Sequence, residues 1–147
     1  MELDVRTLMV VFTVNVFAVA LALPAIMGWR VGPAARQAVL STLRQAGGWF
    51  FLVLSTFWRQ QWQDQVCSVL AMAGMSASLV LLWRSIGLWT GRPQQAWPMR
   101  TLTVLMTLGY GIGFDSYPWR VGLANSVLGL QMLAIVVAVS RLSPATG

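Results

Sequence analysis

The stretch TLMVVFTVNVFAVALALPAIMGW, residues 7–29, runs for 23 positions without a charged side chain. A helix rises about 1.5 Å per residue, so roughly 20 apolar residues cross the hydrocarbon core of a bilayer. The same reading applies to QVCSVLAMAGMSASLVLLW, residues 65–83, and to VGLANSVLGLQMLAIVVAVS, residues 121–140. QAVLSTLRQAGGWFFLVLSTFW, residues 37–58, is long enough but carries Arg44 near its start. A long arginine there can snorkel to the headgroups. TLTVLMTLGYGIGF, residues 101–114, is short, and extending it to 98–117 makes a fifth span. The sequence therefore predicts an all-α, polytopic membrane helix bundle of about five transmembrane helices, with residues 1–147 forming one transmembrane domain.

Composition agrees with this fold class. Hydrophobic residues make up 57% of the chain and charged residues only 10%, against about 25% charged in soluble domains. The net charge of +6 comes from ten arginines against four acids. Those arginines stand singly between apolar runs, without the stripe or tail that nucleic-acid binding requires; no nucleic acid is expected as a partner. Histidine is absent and Cys67 is the single cysteine. The common zinc, copper and haem ligand sets and histidine-dependent catalysis are thereby removed. No cofactor, metal site or enzymatic activity is expected.

Arginine placement orients the spans. With the N-terminus outside, Arg30, Arg36, Arg44, Arg84, Arg92, Arg100 and Arg141 fall inside, while Arg6, Arg59 and Arg120 fall outside. Glu2, Asp4, Asp64 and Asp115 all fall outside. Cytoplasmic loops favour basic residues, so the expectation is N-out and C-in, multi-pass in a bacterial inner membrane. Ala20-Leu-Ala22 resembles a signal-peptidase site, yet the leader is acidic at Glu2 and Asp4 and predicts an uncleaved anchor. Trp29, Trp58 and Trp83 close spans, and Trp97 and Trp119 precede them, as an interfacial aromatic belt does. Trp89 falls in the connection RSIGLWTGRPQQAWPMR, where Gly91-Arg92-Pro93 reads as a turn. Trp49 is expected inside the second helix, with no evident partner for its indole.

GYGIGFDSYPWR, residues 109–120, has the glycine density of a phosphate loop. It lacks the preceding strand, the following helix and the lysine that such a loop needs. Gly109 and Gly113 are spaced as GxxxG, which lets membrane helices approach closely. Gly122 and Ser126 repeat that spacing in the last helix. Ala73 with Ala77, and Gly74 with Ser78, do so in the third. These are expected helix-packing positions, within the bundle or between two copies. Asn15 and Gln131 are expected to hydrogen-bond between helices, and Met72 and Met75 to fill core space. Pro24 is a candidate kink. Asp115, Tyr117 and Arg120, with Ser116, Asp64, Arg59 and Trp62, are candidates to line an outward-facing pocket.

The order of features carries a resemblance. MELDVRTLMVV leads straight into the first helix, and the third helix runs past Trp83-Arg84 into Gly91-Arg92-Pro93. The fourth ends in Tyr117-Pro118-Trp119-Arg120 before the fifth. This resembles, over nearly the whole chain, the N-terminal membrane region of many bacterial diguanylate cyclases. In those proteins the region precedes a cytoplasmic GGDEF domain that joins two GTP molecules into cyclic di-GMP. The resemblance implies a sensory and anchoring module. Only LSPATG follows Arg141, and no GGDEF-like sequence occurs in the chain. No catalytic residue carries over, and the expectation is a non-catalytic module separated from its catalytic domain. A small accessory subunit of a larger membrane complex is the alternative, and a transporter half-unit a further one. The expected partners are the lipid bilayer and a second copy or a larger membrane complex.

Overall fold

In the computed structural model the described residues are 4–27, 32–58, 62–91 and 95–141. They form five helices and no strand: α1 (Val5–Met27), α2 (Pro33–Ser55), α3 (Trp62–Thr90), α4 (Trp97–Ile112) and α5 (Tyr117–Ser140). Glu2, Trp29, Arg30, Arg59, Arg92 and Pro93 lie outside the described residues. By length and composition, α1, α3 and α5 are able to cross a membrane. Their outward faces are apolar, with Leu8, Leu21, Leu70, Leu133 and Val136 all exposed.

Proline sets three of the helix starts. α2, α4 and α5 each carry proline in their first two positions, where the fixed φ suits a helix and the missing N–H has no intrahelical role. α5 consequently begins at Tyr117 instead of 121, and Tyr117-Pro118-Trp119 is a helix start, not a turn. α4 correspondingly stops at Ile112. α3 corrects the sequence reading most. It continues seven residues past Trp83, so Arg84 and Trp89 lie on the helix, with Arg84 exposed. Burial of Ser85, Ile86 and Gly87 drives the extension. Gly91, at φ 64°, ends it in the left-handed conformation that favours glycine at a helix C-terminus. Pro24 lies within the last turn of α1, and the helix continues through it.

The helices pack in a chain of neighbours. α1 meets α2 alone, α2 meets α3, and α3 also meets α4 and α5, which meet each other. The α2–α3 pair is the most extensive. Ala34, Ser41, Gly48 and Ser55, each seven residues apart, are all buried on α2. Ala71, Ser78 and Ser85, at the same spacing, are buried on α3. The two series run antiparallel. Ser85 Oγ donates to Ala34 O at 2.8 Å and Ser41 Oγ to Ser78 O at 2.7 Å. A Cβ on Gly48 would stand 2.9 Å from Ala71 O, and one on Gly74 3.4 Å from Gly48 Cα. A seven-residue repeat keeps one face toward its partner along a helix pair. Small residues on that face let the backbones approach closely. Gly74 and Ser78 thus lie against α2, whereas Ala73 and Ala77 are half-buried beside this seam.

A second junction ties α3, α4 and α5. Gln131 is fully buried, as is Ser76. Ser76 Oγ donates to Gln131 Oε1 at 2.9 Å, and Gln131 Nε2 donates to Met99 O and to Thr103 Oγ1, each at 3.2 Å. Both N–H groups of the amide and its carbonyl are satisfied, which removes the cost of burying it. Leu79, Ile86, Met99 and Ile135 form the apolar layer beside it. Gln131 therefore bridges helices; Asn15 does not. Its Nδ2 donates to Val11 O of its own helix, and the residue is exposed. Met75 is buried beside Gly48, and Met72 is half-buried. Trp49 meets the edge of Phe12, their ring centroids 4.7 Å apart, which joins α1 to α2.

The seam makes a direct prediction. Gly48→Val is expected to destabilise the folded chain by about 1–3 kcal/mol through overpacking. Gly47→Val, where a Cβ meets nothing within 4 Å, is expected to change stability little. Thermal unfolding of the two variants in detergent, followed by circular dichroism, checks the difference.

Candidate functional site

One end of the bundle gathers the close of α2, the start of α3, the close of α4 and the start of α5. Between them lies a cleft of about 190 Å³, lined by Leu52, Ser55, Thr56, Asp64, Ser68, Tyr110, Tyr117, Arg120 and Val121. Its walls follow from the packing already described. Ser55 on α2 and Asp64 on α3 extend the seven-residue series one step beyond Gly48 and Ala71, out to the cleft. The α4–α5 hairpin brings the aromatic side. Leu123 packs on Gly109, where a Cβ would come within 2.8 Å of its Cδ2. The Trp119 ring covers Gly113, and its Nε1 donates to Gly109 O at 3.1 Å. Gln65 Nε2 donates to Gly111 O at 3.2 Å, tying α3 to the same corner.

Arg120 sits in the middle of this corner, half-buried. Its Cζ lies 4.3 Å from the centroid of Phe114, 5.9 Å from Tyr110 and 5.8 Å from Tyr117. Tyr110 and Phe114 contact each other edge-on at 6.4 Å. Aromatic faces attract a guanidinium, by about 0.5–1 kcal/mol when exposed and more when water is excluded. The guanidinium donates to the Tyr110 hydroxyl, and its remaining N–H donors are the kind that bind an oxyanion. Arg120 Nε is buried and has no hydrogen-bond partner. Asp64 shares the cleft, but no ion pair joins it to Arg120.

The hydroxyls around the cleft are largely committed. Ser55 Oγ donates to Leu52 O, Thr56 Oγ1 to Val53 O, and Ser68 Oγ to Asp64 Oδ1. The remaining donors are the phenols of Tyr110 and Tyr117 and the guanidinium of Arg120. The remaining acceptor capacity centres on Asp64. The arrangement can hold charges of both signs. It contains no paired acids for proton transfer, and the described residues contain no group of three or more metal-ligating acids or cysteines.

The structure sorts the residues singled out from sequence. Tyr117, Arg120 and Asp64 line the cleft. Asp115 and Ser116 are exposed in the α4–α5 turn, outside the lining, and Trp62 is exposed on the first turn of α3. Arg59 lies outside the described residues. Gly109 and Gly113 receive Leu123 and Trp119 of α5, so large side chains on glycine replace the expected approach of one small-residue face to another. Gly122 and Ser126 are exposed, and among the described residues a Cβ on Gly122 meets no atom within 4 Å. Sequence reasoning missed Tyr110, Phe114, Ser55 and Ser68. Tyr110 and Phe114 stand four apart, the spacing that puts two rings on one helix face, and the sevenfold series that ends at Ser55 was equally readable.

A double-mutant cycle tests the hold on Arg120. Phe114→Leu and Arg120→Gln are each expected to lower stability, with a coupling of about 1 kcal/mol. Strictly additive losses in chemical or thermal unfolding would remove the ring–guanidinium contact as a stabilising interaction.

Comparison of the chain with models of known protein families, with curated proteins and with solved structures finds no match.

Proposed function

We propose that the chain is a non-catalytic sensory and anchoring module of a bacterial inner membrane, of the diguanylate cyclase type. In this reading it tethers and controls a cytoplasmic cyclic-di-GMP-synthesising domain that this sequence does not contain. All five helices span, with the cleft end outside and the end of α5 in the cytoplasm. α4, at 16 residues, reaches about 24 Å and is the shortest span.

The observation that carries the reading is Arg120, held over three rings in an open cleft with no described acid paired to it. A half-buried cation without a counter-charge is costly to maintain, and a ligand that supplies one is favoured. The charge distribution supports the orientation. Arg36, Arg84, Arg100 and Arg141 lie toward the end opposite the cleft, while Asp64 and Asp115 lie at the cleft end, the asymmetry expected of an inner and an outer face. Coupling has a route in the packing. Arg120 belongs to the first turn of α5, which continues unbroken to Ser140. Gln131 ties that helix to α3 and α4 on the way, so a displacement at the cleft is carried toward the C-terminal end.

A second reading, a subunit packing against a larger membrane complex, is favoured by the outward face of α5. Gly122, Asn125, Ser126 and Gly129 are all exposed there, a small and polar strip that another helix would fit. Stable co-purification of a larger membrane partner, lost on Gly122→Leu, would support it.

Two experiments test the first reading. In a Cys67→Ser background, Asp115→Cys is expected to react with a membrane-impermeant maleimide in intact cells. Arg141→Cys is expected to react only after permeabilisation; the reverse pattern would invert the orientation. For the sensory role, a diguanylate cyclase domain is fused after Gly147 and cyclic di-GMP is measured in cells. Arg120→Gln is expected to shift its output severalfold at equal expression. Unchanged output would leave anchoring without sensing.

A further inference from the structure

We infer that the cleft is a binding site for a small zwitterion, with its phosphate or carboxylate on Arg120 and its ammonium on Asp64. The inference rests on reading this end of the bundle as the ligand-receiving end. It adds the chemical class of the ligand.

The argument is an account of unused hydrogen-bonding capacity. Three donor-bearing side chains line the cleft: Arg120, whose buried Nε has no described partner, Tyr110, whose phenol hydrogen-bonds with Arg120, and Tyr117. The Arg120 Cζ lies over the rings of Phe114, Tyr110 and Tyr117, and a guanidinium is the side chain that takes two oxygens of a phosphate or carboxylate together. The serine and threonine hydroxyls add little donation, since Ser55, Thr56 and Ser68 already donate elsewhere. Asp64 lines the same cleft; its Oδ1 accepts from Ser68 and its carboxylate pairs with no described cation. A simple anion would satisfy Arg120 and be repelled by Asp64, and a simple cation the converse. A molecule carrying both charges a few bonds apart satisfies both. The volume of about 190 Å³ equals on the order of six waters at about 30 Å³ each, room for an ethanolamine phosphate group or a small amino acid.

This chemistry has two sources: the headgroup of a phosphatidylethanolamine in the surrounding leaflet, or a soluble amino acid or aminoalkyl phosphate. The full chain, purified and delipidated in detergent, is titrated with phosphoethanolamine, with alanine and with inorganic phosphate, binding being read by calorimetry. In parallel, native mass spectrometry measures lipid retained from nanodiscs of phosphatidylethanolamine, phosphatidylcholine or phosphatidylglycerol. Saturable binding of phosphoethanolamine or alanine, about tenfold tighter than inorganic phosphate, is expected. Selective retention of phosphatidylethanolamine, with weak binding of the soluble probes, identifies the lipid as the source. Asp64→Asn is expected to abolish the preference for phosphoethanolamine over phosphate and to tighten phosphate binding, since the like charge is gone. Arg120→Lys is expected to weaken every ligand about tenfold or more, because the compact ammonium lacks the guanidinium edge. Circular dichroism confirms that both variants are folded, and Tyr117→Phe serves in place of any variant that is not.

Absence of binding by all of these probes to the folded wild-type chain overturns the inference. So does an Asp64→Asn variant that keeps the full preference for phosphoethanolamine. Its failure is distinguishable from failure of the sensory reading. Binding without any change in the output of the fused cyclase sinks only the latter, and an output that depends on Arg120 without zwitterion binding sinks only the former.

Discussion

The close contact between α2 and α3 is the constraint on which the remaining packing depends. Small residues recur every seven positions on both helices and meet in antiparallel register, from Ala34 opposite Ser85 to Gly48 opposite Ala71. The two serine hydroxyls that cross the seam donate to backbone carbonyls of the other helix, fixing register as well as separation. A slip of one helical turn would put Met75 or Arg44 where a glycine or serine now fits. Because α3 also carries Ser76 on its opposite side, fixing it against α2 sets the depth at which Gln131 and Thr103 of the other helices find their partners.

The cleft follows from the same register. Asp64 stands at its rim because it belongs to the step after Ala71, and Ser55 stands opposite because it belongs to the step after Gly48. Arg120 arrives from the other direction, through the α4–α5 corner. There Trp119 and Leu123 lie on glycines of α4 and orient the first turn of α5. Two independent packing arrangements therefore deliver the acid and the base to one small space, neither formed by the other's attraction. The rings of Tyr110, Phe114 and Tyr117 hold the guanidinium in place of a carboxylate, which is why Asp64 and Arg120 share a cleft without pairing.

Much of the fold was legible in the sequence, and the errors have physical causes. Long uncharged runs gave the helical class and the positions of α1, α3 and α5, because a helix of that length needs no tertiary information to be recognised. Boundaries failed where packing overrode local charge. Arg84 suggested an end to α3, yet an arginine on the outward face of a helix is no barrier to continuing it when Ser85, Ile86 and Gly87 are buried on the inward face. Proline at 118 marked the start of α5, though the aromatic residues beside it suggested a turn. The glycines at 109 and 113 were read as room for a neighbouring helix. Their neighbours, Leu123 and Trp119, were not foreseeable, since spacing shows that a helix has room on one side and says nothing of what fills it. Tyr117 and Arg120 were legible as a pair near a helix start. Tyr110 escaped attention because it sat within an apolar run, where an aromatic residue attracts no notice.

α1 occupies a different position in this molecule from the other four helices. It touches α2 alone, through Phe12 against Trp49 and a narrow strip that includes the buried Ala20. None of the contacts among α3, α4 and α5 passes through it. Cooperativity is accordingly uneven along the chain. Sideways detachment of α1 costs only its own interface and leaves the seam, the glutamine junction and the cleft intact, so it is the lowest rung in the ladder of partial openings. Its apolar length holds it among acyl chains whether or not it is docked. Retention in a bilayer and adherence to the bundle are therefore separate free energies for this helix.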